Sequence, residues 1–301
     1  MSAVALGHGI RPARRRVPLA HRVPVTVSRI SWYALCTLLA VTMLVPLLWM
    51  VSIALKSNDN ILQLPPKFFP TSYVWSNFVN GPAQIHFPRL FVNTVIITVV
   101  STAGAVTSSM LAGYALSRLE FKGRKVFFYL FTFAIFVPSI VTIIPIERLF
   151  FGMGLINTWI PLILPSFFGN PLFIFLARQF FISVPHSIDE SAMMDGASSF
   201  RIFRSLMVPL TKPLWITMAI LAFQMSWNDY LSPLIYLNSP GRYTLSLGMA
   251  TFMGTLTSGT TPQYNYYMAS NLLYMIPPLL LFFFAQRYFM MGLGSLGLTN
   301  K

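Results

Sequence analysis

The chain has 301 residues, a net charge of +14, 55% apolar positions and only 9% charged ones. That leaves too little polar surface to clothe a water-soluble globule of this size, so the polypeptide belongs in lipid. Its basic residues are dispersed at the ends of apolar runs and are not gathered with stacking aromatics on one polar face, which argues for membrane orientation over nucleic-acid binding.

The amino terminus carries Arg11, Arg14, Arg15, Arg16, Arg22 and Arg29, and the next charge is Lys56. Residues 30–55 would reach about 39 Å as a helix, against about 30 Å of hydrocarbon, so they read as a spanning helix with some tilt. The run is far longer than a cleavable signal core of about 7 to 15 residues, and it reads as a retained first anchor. Further charge-poor stretches at 90–116, 126–145, 157–177, 214–237 (broken by Asp229) and 266–286 bring the expected spans to six. The fourth contains Pro161, Pro165, Gly169 and Pro171. Such breakers survive at membrane depth only where neighbouring groups satisfy the freed backbone. Pro277 and Pro278 predict a kink in the sixth. The fold class is therefore all-α: a polytopic membrane protein with six transmembrane helices. The intervening segments 57–88 and 238–265 are rich in Gly, Pro, Ser, Thr and Asn, and read as loops.

Cys36 is the one cysteine, so no intrachain disulfide forms. His8, His21, His86 and His186 are scattered without a His-Glu-x-x-His pattern, and no metal site is expected. Asn93 and Asn157 read as packing residues that bond to an adjacent helix.

With the amino terminus inside, the cytoplasm receives those six arginines, four Lys/Arg between Arg118 and Lys125, four from Arg178 to Lys212, and Arg287 with Lys301. The far side receives Lys56, Lys67, Arg89, Arg148 and Arg242, so sixteen cations face five, a clear positive-inside bias. Both termini and the loop 178–213 are then cytoplasmic.

Within that loop, residues 190–209 form a compact charged island between two apolar segments. Pro185 ends the preceding segment, and Ser187 with Glu190 has the form of a capping box that starts a short helix. Gly196 can take the left-handed conformation that ends it. Ser198 or Ser199 can then cap a second helix with Phe200, Phe203, Met207 and Leu210 along one stripe and Arg201 and Arg204 on the other side. Two short helices with small residues Ser191, Ala192 and Gly196 near the elbow make a rigid knob for a partner's groove. The competing reading is an interfacial helix resting on lipid headgroups.

Asp229 is the one formal charge inside an apolar stretch, where a carboxylate must line a cavity, pair or take up a proton. With Trp227, Asn228 and Tyr230 it offers ring faces and polar groups suited to a sugar. The same residues could instead be anchors at the outer membrane boundary. Catalysis is not expected. The chain has no Gly-Lys dipeptide, hence no phosphate-cradling loop, and no nucleophile elbow or paired-carboxylate site.

The island resembles the cytoplasmic coupling loop of ABC importer permeases, whose pattern runs Glu-Ala-Ala, three residues, Gly, nine residues, then Ile-x-Leu-Pro. Glu190, Ala192, Gly196 and Pro209 fall at matching positions, and Ser191, Leu206 and Val208 are conservative departures. Ala112-Gly-Tyr-Ala-Leu-Ser-Arg118, Phe121-Lys-Gly-Arg124, Gly154-Leu-Ile-Asn-Thr158, Arg178-Gln-Phe-Phe181, Trp227-Asn-Asp-Tyr230 and Gln286-Arg-Tyr-Phe289 are similar to segments of sugar-importing permeases of the maltose and glycerol-phosphate type. The six-span layout is similar to the smaller permease subunit of such importers.

The resemblance implies a multi-pass subunit of a bacterial plasma membrane importer, with tails at 1–29 and 290–301 around a transmembrane domain at 30–289. It implies a heterodimeric pore with a second permease, an extracytoplasmic solute-binding protein and a cytoplasmic ATPase dimer that holds the ATP and Mg, with no cofactor in this chain. Glu190, Ser191, Ala192, Asp195, Gly196, Phe200 and Pro209 would then couple to the ATPase, and Trp227, Asn228, Asp229 and Tyr230 would border the substrate path. The alternative is a stand-alone ion-coupled carrier, for which Asp229 alone is a thin supply of intramembrane charge.

Overall fold

A computed structural model describes residues 25–61, 63–257 and 263–295, within which the regular elements are helical. The basic tail before residue 25 and the end of the carboxyl tail after residue 295 lie outside the described residues. The helices are, in chain order, α1 (Val25–Ala54), α2 (Asn58–Ile61), α3 (Asn77–Gln84), α4 (Phe87–Arg118), α5 (Arg124–Ala134), α6 (Ser139–Gly152) and α7 (Ile160–Ile163). A 3-10 turn at Leu164–Phe168 leads into α8 (Pro171–Ser183), α9 (Ser187–Met194) and α10 (Ser199–Ile202). A π-helical turn, Phe203–Met207, precedes α11 (Val208–Leu210), α12 (Lys212–Trp227), α13 (Leu231–Tyr236), α14 (Leu245–Thr257) and α15 (Tyr264–Ser295).

The chain divides into two units, Met1–Trp49 and Met50–Lys301. In the first, α1 is exposed from Arg29 through Leu48. Trp32, Leu38 and Met43 are 65%, 63% and 72% exposed, an apolar surface on all sides that suits a lipid-facing helix.

In the second unit, α4 is the central strut and packs along α8 and α12, while α12 also packs along α15. The reason is written in α4 at four-residue spacing: Ser101, Ala105, Ser109, Gly113 and Ser117 are all buried. A stripe of small residues lets a neighbouring backbone come close where lipid supplies no hydrophobic drive. A Cβ on Gly113 would lie 2.5 Å from the Ala177 Cβ of α8, closer than real contacts allow.

The same face of α4 explains the proline-rich fourth span. The backbone breaks there as expected, through α7, the 3-10 turn and Gly169 at φ 84°. Ser101 Oγ donates to the Leu162 carbonyl at 3.3 Å and Ser108 Oγ to the Ser166 carbonyl at 3.2 Å, while Ser109 Oγ accepts from the Asn170 amide at 3.0 Å. Side chains of the neighbouring helix thus replace the lost helical partners.

Among the described residues, four helices are long and apolar enough to cross a membrane: Arg29–Ala54, Phe87–Arg118, Ile160–Ser183 and Tyr264–Gln286. The number rises to six if each of two bent pairs counts as one span. The expected third span is one such pair, because α5 and α6 meet at 105° where Pro138, in extended conformation, starts α6. The expected fifth span is also shorter than hydropathy implied. It stops at Trp227, and a break at Asn228 and Asp229 separates it from α13. The sixth continues as helix through Pro277 and Pro278.

The two segments read as loops contain helices. α3 lies in the first, where buried Asn77 donates to the Ala54 and Lys56 carbonyls at 2.8 Å each and accepts from Asn265 at 3.2 Å. α14 lies in the second, and Leu245, Leu247 and Met249 from it are buried. Asn93 and Asn157 hold backbone of this segment, Asn93 at the 3-10 turn Pro240–Arg242 and its successor Tyr243. Asn93 Nδ2 donates to the Gly241 and Tyr243 carbonyls at 3.1 and 2.9 Å, and Asn157 Oδ1 accepts from the Asn238 and Ser239 amides.

Candidate functional site

The island folds as two short helices at the end of the α4, α8 and α12 bundle. α9 begins without the expected capping box. His186 occupies the position before the helix, with no side-chain cap, and its carbonyl accepts the Asp189 and Glu190 amides at 2.9 and 3.1 Å. Helical backbone therefore starts one residue too early for Ser187 to cap it. Gly196 ends α9 at φ 79°. The Ala197 amide reaches the Ala192 carbonyl at 3.0 Å and the Gly196 amide reaches Met193 at 2.9 Å, the pair of bonds that closes a helix through a left-handed residue. A Cβ on Gly196 would meet nothing within 4 Å, so inside the chain the glycine serves backbone direction and not close packing.

Ser198 caps the second helix, its Oγ accepting from the Arg201 amide at 3.3 Å. The buried face differs from the expected stripe. Ile202, Phe203 and Met207 are buried, whereas Phe200 and Leu210 are 64% and 50% exposed. The cause is the π turn, in which the Val208 amide donates to the Phe203 carbonyl five residues back. Its wider winding brings Ile202 and Met207 onto one face.

The knob is anchored from α4 and α8 by groups the sequence reading did not assign to it. Arg118, at the last turn of α4, lies 2.8 Å from Asp189 of α9, and the two side chains are only 3% and 6% exposed. The approach is a charge contact without an aligned N–H between the atoms. The same guanidinium donates to the Phe181 and Val184 carbonyls at the end of α8. His186 Nδ1 stands 3.9 Å from the same carboxylate. Beneath them Tyr114, Phe181 and Phe203 form an aromatic cluster with ring centroids 5.1 to 6.5 Å apart, and the Tyr114 hydroxyl donates to the Ser199 carbonyl at 3.1 Å. One arginine and three rings thus join α4, α8, α9 and α10.

What the knob shows to its surroundings is mixed. Glu190, Ser191, Asp195, Gly196 and Pro209 are exposed, with Arg201 and Arg204 nearby, and Ala192 is half-buried against the core. Met194 is 89% and Met193 52% exposed. Flexible apolar side chains beside exposed carboxylates and guanidinium groups make a surface suited to a protein partner.

The second candidate group is divided. Trp227 is wholly buried, stacked on Phe223 with centroids 5.3 Å apart and flanked by Phe91 and Tyr274. Asn228 is exposed and lies on a cavity of about 300 Å³ with Gln224 and Tyr274. Its Nδ2 donates to the Gln224 carbonyl and Oε1, and its Oδ1 accepts from the Tyr274 hydroxyl at 2.9 Å. Asp229 Oδ1 accepts the Ser232 amide at 3.1 Å at the start of α13, outside α12. Tyr230 is 42% exposed.

The family described as binding-protein-dependent transport system inner membrane component matches residues 104–293, which include the knob and its anchors. The arabinooligosaccharides transport system permease protein AraQ of Bacillus subtilis (strain 168) is 30% identical over 281 residues, covering 91% of this chain and 97% of AraQ. The sn-glycerol-3-phosphate transport system permease protein UgpE of Pectobacterium atrosepticum is 30% identical over 246 residues, or 80% of this chain and 86% of UgpE. A chain from the crystal structure of a bacterial ABC transporter involved in the import of the acidic polysaccharide alginate has the same fold. Its TM-score is 0.78 at 23% identity, covering 91% of this chain and 100% of that one.

Proposed function

The chain belongs to the family of binding-protein-dependent transport system inner membrane components, and we propose that it forms half of the translocation path for a sugar or sugar-like solute in an ATP-driven importer. A second permease completes the pore, an extracytoplasmic binding protein delivers the solute, and a cytoplasmic ATPase dimer holds the ATP and Mg. The tails 1–29 and 290–301 and the knob face the cytoplasm around a membrane domain at 30–289. The names of AraQ and UgpE, one for arabinooligosaccharides and one for a glycerol phosphate, support the solute class.

One observation carries the coupling role: the exposed carboxylates and methionines of α9 stand on a knob whose underside is tied to α4 and α8 through Arg118 and Asp189. Glu190, Ser191, Ala192, Asp195, Gly196, Phe200 and Pro209 form the surface that meets the ATPase. Glu190 pairs there with a basic residue, a contact of about 1.5 to 7 kcal/mol for close interfacial charges. Closure of the ATPase dimer then moves the attached helices as levers. Asn228, Asp229 and Tyr230 border the solute path, with Gln224 and Tyr274 completing the polar lining and Trp227 supporting it from behind.

The test is co-purification of the full-length tagged chain. The parent brings down a second permease and an ATPase, and Glu190→Lys keeps the permease while losing the ATPase and ATP-driven uptake. Normal uptake by that variant removes the joint from α9. In the same assay Asn228→Ala keeps both partners and changes uptake kinetics; unchanged uptake moves the path elsewhere.

A further inference from the structure

A cavity of about 640 Å³ opens where α4 turns into α5, and Arg124, Lys125 and Arg178 all line it with a single carboxylate, Glu120. None of the three cations joins an ion pair among the described residues. Arg178 is held in place: its guanidinium carbon lies 3.8 Å from the Phe128 ring centroid, its Nε donates to the Leu116 carbonyl at 3.2 Å, and Phe128 stacks on Phe175. Arg124 donates one terminal nitrogen to the Leu119 carbonyl at 3.1 Å. Gathering like charges around one cavity is unfavourable unless an anion enters it, because each cation raises the energy of the others.

The occupant must also be apolar at one end. Val126, Leu130 and Phe133, spaced four and three residues apart along α5, are 61%, 59% and 69% exposed and form a stripe leading away from the cavity. We propose that this is a binding site for an anionic phospholipid, whose headgroup phosphate contacts Arg124, Lys125 and Arg178 and whose acyl chains lie along α5. Basic pockets between membrane helices suit such headgroups, and a two-ended ligand matches both the charge and the stripe. The cytoplasmic leaflet as its source rests on the orientation proposed above; binding itself does not.

Native mass spectrometry of the full-length chain in detergent tests the site without reference to transport or sidedness. Phosphatidylglycerol is retained through delipidation and phosphatidylcholine is not. Two cations near a headgroup contribute about thirtyfold in affinity, so Arg124→Ala with Lys125→Ala lowers phosphatidylglycerol retention by about that factor at unchanged melting temperature. Arg178→Gln, a second variant that lies on α8 and keeps the sequence of α5, also weakens retention. Equal retention of the two lipids, or undiminished phosphatidylglycerol retention in both variants, overturns the proposal. So does full displacement by equimolar inorganic phosphate, since a free anion would then suffice.

Discussion

Arg118 is a fork with two obligations: its charge meets Asp189 of α9, and its remaining donor group ties the carbonyls of Phe181 and Val184 at the end of α8. Both charges are removed from water, so deleting one partner leaves the other buried and uncompensated, at about 3 to 5 kcal/mol. Asp189→Ala should therefore lower the melting temperature of the purified chain and, on the proposed mechanism, reduce the amount of assembled complex. Arg118→Lys should fall between the parent and that variant, since a point charge can meet Asp189 but cannot fork to the α8 carbonyls. Equal stability of parent and Asp189→Ala in thermal unfolding would show that the contact is not a joint. Glu190 belongs to the linear motif, whereas the internal anchor is its neighbour Asp189. A linear motif is legible from spacing alone, whereas a buried ion pair between residues 71 positions apart leaves no local trace.

At the scale of elements, the contact between α4 and α8 depends on missing side-chain volume. Gly113 has Ala177 Cβ at 2.5 Å and the Arg178 amide nitrogen at 3.0 Å from where its own Cβ would be. Forcing even one methyl group there costs about 1 to 3 kcal/mol through displaced backbone. Gly113→Ala is therefore expected to lower the unfolding temperature, and Ala177→Gly in the same chain to restore part of the loss. An unchanged temperature for the single variant would mean the helices do not approach this closely. The helices of α4 and α15 were legible from apolar length, and so were the breaks in the fourth span, because Pro and Gly act on their own residues. The 105° turn between α5 and α6 was not, since hydropathy is blind to direction and the residues on both sides of Pro138 stay apolar. Nor was the π turn, which moved Phe200 and Leu210 out of the buried face and reflects packing against Tyr114 and Phe181 more than any propensity of its own.

For the whole molecule the proposed mechanism needs a sidedness: a knob pushed by an ATPase is useful only if it faces the cytoplasm. The charge distribution argues for that side, since moving Lys and Arg across the bilayer during insertion is costly. Sealed vesicles test this with two exposed reporters, Met194 on the knob at 89% exposure and Tyr73 before α3 at 62%. In a Cys36→Ser background, which removes the one native thiol, Met194→Cys should react with a membrane-impermeant maleimide in inside-out vesicles and be protected in right-side-out ones. Tyr73→Cys should show the opposite. The pair matters more than either site, because opposite behaviour requires an odd number of crossings between the two positions. The reversed pattern would put the anchored surface of α9 on the side of the binding protein, and an ATP-driven push from the cytoplasm could not reach it.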